Sequence, residues 1–408
     1  MNKKKIINDP VYGFITIPSE FIFDLIEHPY FQRLRRIRQL GLAQYVYPGA
    51  MHTRFHHAIG AMHITQIAIE TLRNKGHEIT TAEEEAVSAA ILLHDIGHGT
   101  FSHALEHTLV AHLMHEEISM MIMEKINENL GGALNMAIAI FKNVYPKKFL
   151  HQLVSSQLDM DRLDYLARDS FFTGVSEGII SSERILKMLN VFDDKLVIDA
   201  KGIYSVEKFI VARRLMYWQV YLHKTVLAAE NQLINTLKRA RFLTSKGDDL
   251  FGTKSFKIFL KNNFTAEEFK KQPHLIDEFC QLDDFDIFTS IKEWMHHDDF
   301  LLSHLCKGLI DRNLFKIRLQ DKPFTQIETD TYLKKAEKVY NITEEEAASL
   351  VFTGKIENSA YTTSQENIHI LFKDNTIIDI ADASDNLSIS ALSKPVVKHY
   401  LCVDFGCL

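Results

Sequence analysis

The chain has 408 residues, 46% of them apolar, and a formal net charge of −7. That size supports a large buried core with room for a second lobe, and the negative balance excludes a protein that coats nucleic acid by bulk electrostatics, so any basic contact has to be a local patch. No apolar stretch of signal-peptide length follows the basic tip "MNKKKIINDPVYGF", and the longest mostly apolar run, "ALNMAIAIF", is too short to span a bilayer, so a cytoplasmic protein is expected.

In chain order, "FQRLRRIRQL" places Phe31, Leu34, Ile37 and Leu40 on one stripe and Arg33, Arg36 and Arg38 elsewhere, which reads as an amphipathic helix with a solvated basic side. A helix from about Arg54 to Asn74 stops at Gly76, and a second begins after the capping-type "TTAEEE", carries "AVSAAILLHDI" and ends at Gly97. "DKLVIDAKGIYSVE" alternates across a Lys-Gly turn as a small hairpin, before one long helix from about Val206 to Leu243. From Thr244 the character shifts: "TSKGDDLFGTKSF" reads as a linker, followed by short charged helices and by "NIHILFKDNTIIDI" and "VVKHYLCVDF", which alternate like strands. The expected fold is mostly α, a helical bundle with a small β-hairpin over residues 1–245 and a mixed α/β lobe over residues 246–408. Cys280, Cys306, Cys402 and Cys407 lack paired spacing and are read as reduced thiols.

Histidine marks where chemistry is anchored, because twelve of the twenty fall between residues 28 and 115. In "LLHDIGHGTFSH" His94 and Asp95 follow a buried helix, with His98 and His103 just beyond and His115 one helix on. Neighbouring positions on a helix point about 100° apart, so His94 and Asp95 reach one ion only if it sits off the helix end. Completing its shell requires groups from other helices, and "TRFHHAIG" supplies His57 while "LDMDRLDYLARD" supplies Asp161. In the latter, Asp161, Tyr165 and Asp169 share one helical face and extend about 12 Å along it, a span able to carry a ligand from metal to sugar. Arg213, Tyr217 and Tyr221 repeat that spacing, with Lys224 close by.

The order His57, His94-Asp95, Asp161 resembles the HD-domain metal-dependent phosphohydrolases. "NDPVYGF", "FQRLRRIRQLG", "PGAMHTRFHHAIG", "LLHDIGHGTFSH" and "DMDRLDYLARDSFFTG" narrow the resemblance to the deoxynucleoside triphosphate triphosphohydrolase branch, which includes the vertebrate SAM-and-HD-domain enzyme. The resemblance implies a metal centre of His57, His94, Asp95 and Asp161 holding Mn, Fe, Co, Ni, Zn or Mg. The same resemblance implies that a metal-activated hydroxide attacks the α-phosphorus of a dNTP, breaking its bond to the 5′ oxygen and releasing deoxynucleoside and tripolyphosphate. It further implies His103 as general acid, His98 and His115 on phosphates, and Arg54 on an α or β phosphate. By the same resemblance Tyr165 is expected under the sugar, Asp169 and Gln39 at the 3′-hydroxyl, Arg213 and Lys224 on γ and β phosphates, and Tyr221 near the base. Leu222 stands where the vertebrate enzyme has a glutamine, which leaves base preference open. Asp164 is read as a structural partner for an arginine, and His52, His56 and His63 are unassigned.

The resemblance also implies a regulatory guanine-nucleotide site of Lys5, Asn8, Glu27, Gln32 and Arg35, formed between subunits of a dimer or tetramer. A subunit interface and a single-stranded nucleic-acid contact compete with it for the basic segment. Alternative readings of the whole chain are another HD phosphohydrolase or phosphodiesterase, or a nucleotide-sensing or nucleic-acid-binding protein whose HD site is vestigial.

Overall fold

The computed structural model describes residues 5–101, 113–359, 361, 367–385 and 395–408. His103 lies outside the described residues. Strands β1 (Ile6–Asp9) and β2 (Gly13–Thr16) form an antiparallel hairpin with Asp9 opposite Gly13. Its turn is fixed by Asp9 Oδ1, which accepts from the amides of Val11 and Tyr12 at 2.9 and 3.0 Å. Strand alternation sends Asp9 and Ile15 inward and leaves Ile6, Asn8 and Phe14 exposed.

The basic segment is not one amphipathic helix. Pro29–Gln32 is a single α-turn, Arg33–Arg36 tightens into a 3₁₀ turn, and Arg38 bridges to Thr53 in extended form. Arg33 has no solvent exposure, contrary to the expectation of a solvated basic side. Its guanidinium meets three buried carbonyls, those of Leu282, Ile96 and His98, which replace its water shell.

The bundle matches the expected outline. The helix Arg54–Asn74 packs against Thr81–Leu93 and Met160–Thr173. Thr80 and Glu83 form the capping box, and every side chain from Val87 to Leu93 is fully buried, so that helix passes through the core rather than over it. Gly97 serves differently from expected: it is absent from the positive-φ residues, and a Cβ there would collide with Ser119 N and the His115 carbonyl. The glycine lets the turn after Leu93 lie directly on the helix His115–Asn129.

Two local expectations are corrected. The hairpin pairs β3 (Leu189–Phe192) with β4 (Lys195–Asp199) across Asp193 and Asp194, both at positive φ, whereas Ala200–Gly202 is a 3₁₀ turn leading into a helix. Two consecutive left-handed residues give the turn whose twist matches a two-residue hairpin, and aspartate tolerates that backbone. The long helix is two helices, Ile203–Met216 and Lys224–Ser245, separated by a π-helical turn at Tyr217–Tyr221 and a break where the His223 side chain caps the second.

Beyond residue 245, β5 (Lys316–Gln320), β6 (Val351–Asn358) and β9 (Val396–Val403) make an antiparallel sheet with β9 central. Strands β7 (His369–Leu371) and β8 (Ile377–Asp379) return to the bundle: β7 pairs parallel with β4, giving a four-stranded sheet β3-β4-β7-β8. One contiguous core runs from Ile15 to Cys407. No helix among the described residues is long and apolar enough to cross a membrane.

A candidate metal centre

Four side chains from two helices and one turn converge. His57 stands on the first full turn of Arg54–Asn74, His94 and Asp95 on the turn that follows Leu93, and Asp161 in the first turn of Met160–Thr173, whose N-cap is Asp159. Asp161 Oδ1 lies 3.0 Å from His57 Nε2 and 3.5 Å from His94 Nε2. Asp95 Oδ1 lies 3.3 Å from His94 Nε2, and its Oδ2 lies 3.8 Å from His57 Nε2. Such separations are those of neighbouring ligands around one cation, since bonds of about 2.1 Å put adjacent donor atoms roughly 3 Å apart.

The tautomers agree with that use. His57 Nδ1 lies 2.8 Å from Asp164 Oδ2 and His94 Nδ1 lies 2.6 Å from the Ile91 carbonyl, so both rings donate through Nδ1 and leave Nε2 as the nitrogen that a cation can take. Both Nε2 atoms are buried and have no hydrogen-bond partner of acceptable geometry among the described residues. Two orphaned nitrogens aimed at two carboxylates fit a divalent cation. Burial opposes charge on the rings, yet the carboxylates outweigh it: Asp161 and Asp164 push His57 up to about 10, and Asp95 and Asp161 push His94 up to about 9. Burial likewise opposes charge on Asp161, and the two imidazoles hold its carboxyl well below the usual range. Protons here occupy the place that a cation takes.

Around the four, Arg54 Nη1 donates to Asp95 Oδ2 at 2.6 Å, and His98 Nε2 lies 3.3 Å from Asp95 Oδ1. Burial and the Arg54 charge lower His98 well below the ordinary histidine value, so its ring is neutral, and it stacks on His115 with centroids 3.8 Å apart. The turn that bears these groups is clasped from behind. Ser119 Oγ accepts from Gly97 N and donates to the His94 carbonyl, while Arg33 donates to the carbonyls of Ile96 and His98. Asp284, from beyond residue 245, accepts from Thr100 and Phe101.

Along the Met160–Thr173 helix the site continues past Asp161 to Tyr165 and Asp169. Asp169 Oδ2 accepts from the Tyr221 hydroxyl at 2.7 Å and Oδ1 lies 2.7 Å from His52 Nε2. The Tyr165 hydroxyl, Gln39 Oε1 and Arg213 Nε are buried without a hydrogen-bond partner among the described residues. Tyr165 packs edge-on to Tyr221, which in turn meets Tyr217. Lys224 is exposed at the start of its helix. Of the five residues read as regulatory, Gln32 and Arg35 bond each other at 2.8 Å and the Lys5 ammonium sits over the Phe23 ring. Asn8 lies on the exposed face of β1, and Glu27 ends the Glu20–Glu27 helix.

Three residues were missed from sequence. His52 is fully buried, stacked on Phe172 with centroids 4.4 Å apart, and supports Asp169. Arg162, adjacent to Asp161, is held by the Ser156 carbonyl and Asp159. Arg33 is the third, and its position in an arginine-rich run disguised it as surface.

Paired buried imidazoles and carboxylates, open to solvent at Asp161, define a metal-dependent hydrolase centre. Residues 54–169 match the HD domain and residues 180–245 match the HD associated region. The chain belongs to the HD-domain family of metal-dependent phosphohydrolases. A phosphohydrolase from Bacteroides thetaiotaomicron is 53% identical and superposes with a TM-score of 0.95, covering 98% of this chain and 100% of that one. YwfO of Bacillus subtilis is 36% identical over 325 residues, 78% of this chain and 72% of that protein. The SAMHD1 homolog of Dictyostelium discoideum, a deoxynucleoside triphosphate triphosphohydrolase, is 30% identical over 290 residues, 66% of this chain and 56% of its own length. The chain thus spans little more than half of that relative.

Proposed function

We propose that this phosphohydrolase cleaves dNTPs to deoxynucleoside and tripolyphosphate. The observation that carries the reading is the single face of Met160–Thr173, which runs from the metal ligand Asp161, under Tyr165, to Asp169 with its two partners. A metal centre at one end and a carboxylate able to accept from a sugar hydroxyl at the other match a nucleotide held by its phosphates and its 3′-hydroxyl. A divalent cation bound by His57, His94, Asp95 and Asp161 supplies an acidified water and a polarised phosphoryl oxygen. Arg54, Arg213 and Lys224 neutralise phosphate charge, the first two through planar forks that suit bidentate contact. Neutral His98 donates a hydrogen bond to a phosphate oxygen, with His115 behind it. His103 completes the proposal as proton donor to the leaving 5′ oxygen.

The same reading extends to activation by a guanine nucleotide through Lys5, Asn8, Glu27, Gln32 and Arg35 in an oligomer. The exposed apolar side chains of Ile6 and Phe14 beside Asn8 support it, since a second copy would cover them. The test is the purified protein with Mn²⁺ or Mg²⁺ and each dNTP, with and without GTP, products resolved by anion exchange. Tripolyphosphate is the expected product. Orthophosphate or pyrophosphate alone would move the reaction to another phosphohydrolase class.

A further inference from the structure

A chain of buried charges runs from the N-terminal hairpin to the metal centre, and the site chemistry above makes no use of its far end. Asp9 Oδ2 accepts from Arg168 Nη1 at 2.7 Å, and Asp9 Oδ1 lies 3.3 Å from Nη2. The same guanidinium donates from Nε and Nη2 to Asp164 at 2.9 and 3.0 Å. Asp164 Oδ2 then receives His57 Nδ1 at 2.8 Å. Arg168, Asp164 and His57 are fully buried and Asp9 is 3% exposed, so solvent screens none of these steps.

The arrangement is built rather than incidental. The helix carrying His57 approaches so closely that only a glycine fits at position 60, where a Cβ would collide with Arg168 Nη2 and Asp164 Oδ1. Both forks of Arg168 are committed to carboxylates, which fixes its plane and through it the Asp164 oxygen that orients His57. The three groups Asp9, Arg168 and Asp164 sum to one negative charge beside the imidazole, whereas Arg168 and Asp164 alone would sum to none. That surplus strengthens His57 as a donor to a cation, and the geometry holds its Nε2 toward Asp161.

The geometry points to Asp9 as a positioning residue of the metal centre: the β1–β2 hairpin sets the affinity for the ion through Asp9, Arg168, Asp164 and His57. This rests on His57 being a metal ligand. Groups beyond the ligands change metal affinity by about 10–100-fold when removed, and Asp9, one link further out, belongs at the low end.

Mn²⁺ is the probe. In calorimetric titration of the full chain, Asp9→Asn should weaken Mn²⁺ binding about tenfold. Phe14→Ser, on the exposed side of the same hairpin, should leave it unchanged. Linkage also requires the converse in the unmodified protein, because coupling is reciprocal. Mn²⁺ should slow hydrogen exchange at the amides of Val11 and Tyr12, which bond Asp9, while leaving the remote helix His274–Phe279 unaltered. A folded Asp9→Asn protein with native Mn²⁺ affinity overturns the inference. If that variant does not fold, hairpin exchange indifferent to Mn²⁺ overturns it equally. Failure of the unmodified protein to bind Mn²⁺, with His57→Ala identical to it, would instead remove the ligand assignment on which the inference stands.

Discussion

Arg33 Nη2 donates to the carbonyl oxygen of His98 across 2.7 Å, from a side chain with no exposed surface. An arginine near the start of the chain thereby holds the turn that carries the HD pair. Arg33→Met keeps much of the volume but strands three carbonyls in the core. A loss of about 2–4 kcal/mol is expected in urea unfolding, with activity falling because His94 and Asp95 are no longer held. Native stability in that variant would refute the assignment.

Metal removal should be visible without any substrate. An ion present at about 100 times its dissociation constant adds about 2.7 kcal/mol to the folded state. Chelation should lower the melting temperature and abolish hydrolysis, and Mn²⁺ should restore both. In Asp161→Asn the melting temperature should no longer respond to either treatment, whereas a response of unaltered size would place the ion elsewhere.

The pairing of Asp169 with Tyr221 and His52 predicts a sugar-specific defect. Tyr221→Phe deletes one donor to a buried carboxylate and should lower kcat/KM for dNTPs by about tenfold, equivalent to about 1.4 kcal/mol. His52→Ala should do the same. Each should also narrow the preference for dNTPs over 3′-deoxy analogues, because a mobile carboxylate no longer selects for the hydroxyl. Equal losses on both substrate types would reduce His52 to a packing role.

Acid stability has a named contributor in Glu83. Burial opposes its charge, but Lys147, Thr80 and Tyr145 bond the carboxylate and bring it down to about 2 from an ordinary 4.5. The folded value is below the unfolded one, so the stabilisation is complete above pH 4.5 and is lost as pH falls toward 2. In Glu83→Gln, the urea midpoint should be lower at neutral pH and should fall less steeply through that window. A parallel descent would show that other carboxylates govern the acid limb.

Much of this was legible from short-range rules. Thr80 and Glu83 announce a capping box, and the spacing of Asp161, Tyr165 and Asp169 holds on the observed helix. The clustering of His57, His94, Asp95 and Asp161 required the family resemblance, because helices far apart in sequence meet there. Other features escaped because their causes are tertiary. Arg33 looks solvated until the carbonyls of Leu282, Ile96 and His98 are in place around it. Asp193 and Asp194 make a turn without the glycine that usually marks one, so the Lys-Gly pair drew the hairpin eight residues too far. The break at Leu222 and His223 has no proline or glycine to signal it, and follows from the π-helical turn that precedes it.

The parallel pairing of β4 with β7 joins Val197 to His369, so the sheet closes only after most of the chain has been synthesised. Until then β4 carries a row of unsatisfied amides and carbonyls along one side, a template on which another copy can assemble. A fragment ending near residue 245 would retain every proposed metal ligand and still leave that border open. Its tendency to form insoluble aggregates, relative to the intact chain, is therefore a question of strand completion rather than of active-site chemistry.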